Sequence, residues 1–74
     1  MTEQESKLTD DFLDIAKENG YCGMVCFTMG AFAFNKGTDE TETVKRLKDL
    51  ILLAKKYPKE DEFVEAFEKK YIDK

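Results

Sequence analysis

The chain has 74 residues, of which 38% are charged, and its 16 acidic and 12 basic residues leave a net charge of −4 at pH 7. This length suffices for a single domain, residues 1–74, and such a domain buries only about 60% of the surface of its unfolded chain. With no histidine and only two cysteines, the sequence offers neither a complete zinc site nor a multiple-disulfide scaffold, so we expect no metal and no cofactor.

The charges are unevenly distributed along the chain. Residues 1–20 carry six acids and two lysines, residues 21–58 carry four acids and six bases, and residues 59–74 carry six acids and four lysines. Both ends are therefore acidic. A nucleic-acid-binding protein normally presents a basic face to the phosphates, so this distribution favours a partner that is itself basic.

The N-terminal stretch is acidic and polar and has no basic flank before an apolar run, so we expect no signal peptide. The longest segment without Asp, Glu, Lys or Arg, residues 21–35, is shorter than the ~20 residues that cross a bilayer as a helix. The sequence therefore predicts a cytoplasmic protein.

The first predicted element is a helix that ends at Asn19, with Gly20 as its left-handed stop. We place its N-cap at Thr9, which puts two aspartates in the first turn, where the helix dipole favours them. An alternative start at Thr2, with Glu5 closing a capping box, stays open. The apolar stripe of this helix consists of Leu8, Phe12, Ile15 and Ala16.

The uncharged segment, residues 21–35, reads YCGMVCFTMGAFAFN and is expected at the buried centre of the fold. Its Val and Phe residues favour β structure, and its glycines would weaken a helix, so we predict two strands, 22–28 and 31–35. The turn between them lacks strong hairpin chemistry, which leaves a single longer strand as an alternative. In a strand, two phenylalanines would face the core, and Ala31 and Ala33 would allow close approach by a helix or another subunit.

The two cysteines, Cys22 and Cys26, fall inside this segment. Their spacing is not the C-x-x-C of thiol redox sites, and no histidine completes a metal site. We expect them to be small buried hydrophobic residues.

The next helix is capped by Thr38 or Asp39 and continues to about Tyr57, because Pro58 disfavours helical geometry in the residue before it. Its leucines extend well beyond one face, which predicts a central helix of the fold or of a dimer. A last amphipathic helix spans about 59–72.

The predicted dimer interface consists of Leu50, Leu52, Leu53, Ala31 and Ala33.

These elements together predict a small α+β domain in the order α-β-β-α-α, with a short antiparallel hairpin packed on helices and two copies forming a dimer. No catalytic residue is assigned. Histidine is absent, the one serine, Ser6, lies near the N-terminus, and no glycine-rich phosphate loop is present.

The acidic residues of the first and last helices form the candidate binding surface. Like charges at i, i+4 cost a few tenths of a kcal/mol per pair, so a repeated acidic face calls for an explanation. One explanation is that acids near a helix start complement its dipole, but this leaves Asp14, Glu18, Glu65 and Glu68 unexplained. The predicted partner-binding residues are Asp10, Asp14, Glu18, Asp61, Glu65 and Glu68.

In size, charge and composition the chain resembles the small acidic proteins with which phages disable host machinery. The nearest type is the inhibitor of the bacterial replication sliding clamp that places an acidic dimer in the DNA channel. No motif carries this resemblance, and Gln4 is followed by Glu5, Ser6, Lys7 and Leu8 rather than by the Q-L-x-L-F pattern of clamp-binding peptides. The resemblance therefore implies channel blocking and not docking in the peptide pocket.

The predicted function is a non-enzymatic, DNA-mimic interaction module that occupies the DNA-contacting basic surface of a replication or defence protein. One alternative is a small-ligand or nucleotide-binding oligomer that uses the uncharged segment as a pocket wall. Another is a structural subunit of a larger assembly.

Overall fold

The computed structural model describes residues 2–72 of the chain, and over this range it consists of helices joined by short connections. No strand occurs between residues 2 and 72, so the predicted α+β fold with an antiparallel hairpin is wrong. The helices are α1 (Glu3–Asn19), α2 (Gly23–Ala33), α3 (Glu40–Lys56) and α4 (Glu60–Tyr71).

The two predicted strands, 22–28 and 31–35, are replaced by α2. Its buried side chains follow helical spacing, because Met29 and Ala33 are four residues apart and are 2% and 0% exposed. Val25 and Phe32 pack beside them against the same core. Burial of this face outweighs the β propensity of Val and Phe and the cost of about 1 kcal/mol for Gly30 within a helix.

The start of α1 lies further towards the N-terminus than the preferred prediction. Thr2 is the N-cap, its hydroxyl accepts a hydrogen bond from the Glu5 N–H at 3.1 Å, and the Glu5 carboxylate accepts from the Thr2 N–H at 2.7 Å. Thr9 lies inside the helix, where its hydroxyl donates to the Glu5 carbonyl. The Thr9 start is therefore wrong and the capping-box alternative is correct. The predicted end at Asn19 is confirmed, with Gly20 left-handed at a φ of 76°.

The remaining helix ends agree closely with the sequence patterns. Asp39 is the N-cap of α3, and its carboxylate accepts a hydrogen bond from the Glu42 N–H at 2.8 Å. The helix ends at Lys56, two residues before Pro58. Helix α4 differs from the predicted range by only one residue at each end.

Helix α3 occupies the centre of the fold and contacts each of the other three helices. This arrangement explains its broad apolar circumference within a single chain. It also corrects two of the five predicted dimer-interface residues, because Leu50 is 1% exposed and Ala33 is 0% exposed in the core of a single chain. Leu53 is half-buried, whereas Ala31 is exposed and Leu52 is 64% exposed.

Aromatic rings connect α1, α2 and α4 around this central helix. The rings of Phe12 and Phe63 lie 6.1 Å apart, and Tyr21 stacks on Phe63 at 4.9 Å. On the other side of the core, Phe32 meets Phe67 edge to face at 5.0 Å. The Tyr21 hydroxyl also donates to the Tyr57 carbonyl at 2.6 Å, which ties the α1–α2 connection to the α3–α4 connection.

Candidate interaction surfaces

Helix α2 is apolar on its outer face as well as on its inner one. Met24 and Phe27 are 73% and 74% exposed, Phe34 is 37% exposed and Ala31 is exposed. Their spacing of three, four and three residues places the side chains along one side of the helix, with Phe34 at the C-cap position just after Ala33. We call these four residues the α2 stripe.

Groups from α3 and α4 hold α2 at both of its ends. The first turn of α2 contains no acid, and the Glu60 carboxylate of α4 instead accepts the Cys22 N–H, which places a negative charge where the helix dipole favours it. At the other end, the Arg46 guanidinium donates to the Phe32 carbonyl at 2.8 Å and lies 4.7 Å from the Phe32 ring centroid. The exposed stripe therefore sits on an anchored helix.

Arg46 has further partners at this end of α2. Its Nε donates to the Glu42 carboxylate at 3.2 Å, and its Nη1 reaches the Thr38 hydroxyl at 3.3 Å. A cation placed beside the last carbonyls of a helix complements the helix dipole. The single arginine of the chain is thus explained by its contacts within the fold.

An open groove of about 600 Å³ lies between α2, α3 and α4. In this groove the Tyr71 hydroxyl donates to the Asp49 carboxylate at 2.7 Å, and the Lys70 ammonium lies 3.6 Å from the same carboxylate. Burial raises the pKa of Tyr71, and the hydrogen bond to Asp49 raises it further. The lining residues are Phe32, Glu42, Lys45, Arg46, Asp49, Lys70 and Tyr71.

The polar groups of this groove mostly satisfy one another. Asp49 and Arg46 each have protein partners, and between residues 2 and 72 no buried side-chain nitrogen or oxygen lacks a hydrogen bond. Phe32 does bring the uncharged segment into the wall, as the ligand-binding alternative requires. The groove nevertheless offers a ligand little polar chemistry that the fold does not already use.

All six predicted partner-binding acids lie on the exposed surface of α1 and α4. Glu65 forms an ion pair with Lys69 at 2.9 Å. The others have no ion-pair partner among residues 2–72. These others are Asp10, Asp14, Glu18, Asp61 and Glu68.

The net charge differs sharply from helix to helix. Helix α1 carries six acids and two lysines, and α4 carries five acids and two lysines. Central α3 carries three acids and five bases, and α2 carries no charge at all. The acidic character predicted for the two ends of the chain is therefore concentrated on two of the helices around α3.

The cysteines differ from the prediction that both are buried. Cys22 is exposed, Cys26 is half-buried, and both are free thiols. Cys22 is the N-cap residue of α2 and precedes the packed part of the helix, which explains its exposure. Burial raises the pKa of the Cys26 thiol.

Two features that residues 2–72 lack bear on the function. Across residues 2–72, no three His, Cys, Asp or Glu side chains come together in a way that could hold a metal ion. None of the helices in the same range combines the length and apolar character that crossing a membrane requires.

The α2 stripe is the surface that the sequence analysis missed. The predicted strand 22–28 contains Met24 and Phe27, and a strand in the buried centre of the fold does not predict that both side chains are exposed. The same residues at helical spacing would have shown a helix with apolar side chains all round, which a chain this short cannot bury completely.

Comparison with known proteins adds no relative from which a function could be inferred. The chain matches no protein-family model, no curated protein and no solved structure. The function must therefore be argued from the surfaces themselves.

Proposed function

We propose that the chain is a non-enzymatic protein-interaction module that binds a basic surface on another macromolecule through the acidic faces of α1 and α4. The observation that carries the proposal is the exposure of all six predicted acids, five of them without an ion-pair partner in residues 2–72. Free, solvated carboxylates are available to an incoming cationic surface without first breaking internal contacts.

The start of α1 at Glu3 strengthens the argument that these acids are not only helix-dipole complements. The dipole effect is confined to the first turn of a helix. Asp10 and Asp14 lie well beyond the first turn of α1, which contains Glu3 and Glu5 as its acids. On α4, only Asp61 of the three proposed acids lies in the first turn.

A DNA-contacting surface is the partner class that fits best, because such a surface carries the cations that bind phosphates. The sliding clamp of bacterial replication is the specific candidate, through the resemblance in size, charge and composition. A cytoplasmic location belongs to the same proposal.

The test is affinity capture from a bacterial lysate followed by binding to the captured protein after purification. The wild-type chain should capture a DNA-handling protein, and duplex DNA should compete for it. Reversal of four acids to lysine should abolish the capture, because it replaces attraction by repulsion. The substitutions are Asp14→Lys, Glu18→Lys, Glu65→Lys and Glu68→Lys.

The control reverses an acid outside the proposed faces. Glu40 is an exposed first-turn acid of central α3, so Glu40→Lys changes the charge in the same direction and should retain the partner. Circular dichroism of every variant verifies folding. The proposal fails if the fourfold reversal captures the same proteins as the wild type, or if DNA does not compete.

A further inference from the structure

The α2 stripe lacks a partner within the described chain, and its composition is unusual for a solvated surface. Phe27 and Met24 are each nearly three-quarters exposed. An aromatic side chain can bury roughly 150–250 Å², so the stripe offers about 400 Å² per chain and about 800 Å² for two chains. That area is below the ~1,200–2,000 Å² of stable complexes and corresponds to a weak, reversible association.

We propose that the occupant of this stripe is the α2 stripe of a second copy, packed antiparallel about a two-fold axis at the level of Met29. The order of the four residues carries this proposal. Phe27 and Ala31 lie two positions on either side of Met29, and Met24 and Phe34 lie five positions on either side. Antiparallel pairing therefore sets Phe27 of each copy against Ala31 of the other, and Met24 against Phe34.

The resulting contacts are complementary in size and chemistry. The methyl group of Ala31 leaves room for the Phe27 ring at the centre, where two helices must approach to about 8–10 Å. The Met24 thioether faces the Phe34 ring, and contacts between sulfur and aromatic rings are favourable. A two-fold interface must be complementary to itself, and this order of residues meets that requirement.

The charges around the stripe favour a second copy over a membrane surface. Helices that lie on membranes carry Lys and Arg beside their apolar face, which attract anionic lipids. Helix α2 has none, and although α3 carries five bases, the surplus of acids on α1 and α4 leaves the whole chain with a net charge of −4, which anionic lipids repel. A second copy, by contrast, meets the stripe without bringing any charge into the contact.

Sedimentation equilibrium of the full chain between 1 and 500 μM tests the association. The wild type should pass reversibly from monomer to twice the 8.6 kDa chain mass. Phe27→Lys should weaken the dimer by ~100-fold or more, because both copies lose a central aromatic residue and gain a buried charge. A wild type that stays monomeric at 500 μM overturns the inference.

Leu52→Lys is the matched control, since Leu52 is also large, apolar and 64% exposed but lies on α3. It should leave the dimer constant unchanged. A dimer that Leu52→Lys disrupts and Phe27→Lys leaves intact would place the contact on α3 and overturn the inference. Amide chemical shifts of the wild type on dilution provide a measurement without substitutions, and changes confined to α3 would equally contradict it.

The antiparallel register has its own test. Phe27→Lys and Ala31→Glu should each be monomeric alone and should associate when mixed, because antiparallel pairing brings the two introduced charges together. Failure of the mixture to associate more strongly than either variant alone overturns the register. The inference does not depend on the proposed function, since none of these substitutions touches the acids of α1 and α4.

Discussion

The substitution Tyr21→Phe tests how the two connections of the fold are held together. Tyr21 is 8% exposed, its ring stacks on Phe63 at 4.9 Å, and its hydroxyl donates to the Tyr57 carbonyl at 2.6 Å. Phenylalanine preserves the ring and its packing and removes only the hydroxyl. The change therefore removes the hydrogen bond to the Tyr57 carbonyl, 36 residues away in the sequence, together with the local interaction of the hydroxyl with the Asn19 side chain.

The expected cost of Tyr21→Phe follows from this contact. A neutral hydrogen bond contributes about 0.5–1.5 kcal/mol net, and leaving a partly buried carbonyl without its partner adds to the loss. We expect the free energy of unfolding to fall by about 1–2 kcal/mol. For a domain of this size, each 1 kcal/mol corresponds to a shift of about 4–8 °C in Tm, so the midpoint should drop by roughly 5–15 °C.

Thermal and urea unfolding, followed by circular dichroism, measure this loss. Tyr57→Phe is the matched control, because among residues 2–72 the Tyr57 hydroxyl has no hydrogen-bond partner, and the carbonyl that Tyr21 uses is retained. Its effect should stay within about 0.5 kcal/mol. If Tyr21→Phe proves no more destabilising than Tyr57→Phe, the bond does not anchor the two connections.

Three further predictions concern stability, and they address the glycines, Arg46 and Tyr71. Gly30→Ala should raise the free energy of unfolding by about 0.5–1 kcal/mol, since nothing lies within 4 Å of the added methyl inside α2. Gly20→Ala should lower it by about 1 kcal/mol, because φ is 76° at that position. Arg46→Gln should lower the free energy of unfolding in urea by about 1–3 kcal/mol, because the charged hydrogen bond to the last turn of α2 is lost. Glu42→Gln should lower it by less than about 0.5 kcal/mol, because it removes only an i, i+4 ion pair at the surface. The free energy of unfolding should fall as the pH rises above 10.0. Above that pH the unfolded chain releases the phenol proton of Tyr71, whereas the folded chain retains it because the Tyr71 pKa is raised there. Tyr71→Phe should therefore make the fall shallower.

The ends of α1, α3 and α4 could be predicted because local chemistry determines them. The capping box at Thr2, the left-handed Gly20, the N-cap at Asp39 and the stop before Pro58 each involve residues close in sequence. The error at Thr9 arose because two caps were compatible with the same apolar stripe. The start at Thr2 is the one that closes the capping box and buries Glu5, which is only 8% exposed.

Helix α2 could not be predicted in the same way, because its local preferences oppose its structure. Val25 and Phe32 favour strands, and the alternation of Ala and Phe fits a period of two. The groups that hold the helix, Glu60 and Arg46, come from distant parts of the chain. Only the tertiary fold brings them to the two ends of α2.

For the same reason, the exposed acids of α1 and α4 could be predicted from the sequence, whereas the α2 stripe could not. Exposure of Asp14 or Glu65 follows from helical spacing within one element, which the sequence displays. Exposure of Met24 and Phe27 depends on which side of α2 meets α3. That choice is made by Met29 and Ala33, and it leaves the equally apolar opposite side uncovered.

The two proposed surfaces should respond to salt in opposite directions, which separates them in one experiment. Binding of a basic partner to the carboxylates of α1 and α4 should weaken with salt, because the Debye length falls from ~30 Å at 0.01 M to ~10 Å at 0.1 M. Pairing through uncharged α2 should strengthen over the same range, because each chain carries a net charge of −4 and salt screens the repulsion between copies. Phe27→Lys should remove the second response and preserve the first. A dimer that weakens with salt in parallel with partner binding would mean that charges, and not the α2 stripe, hold the two copies together.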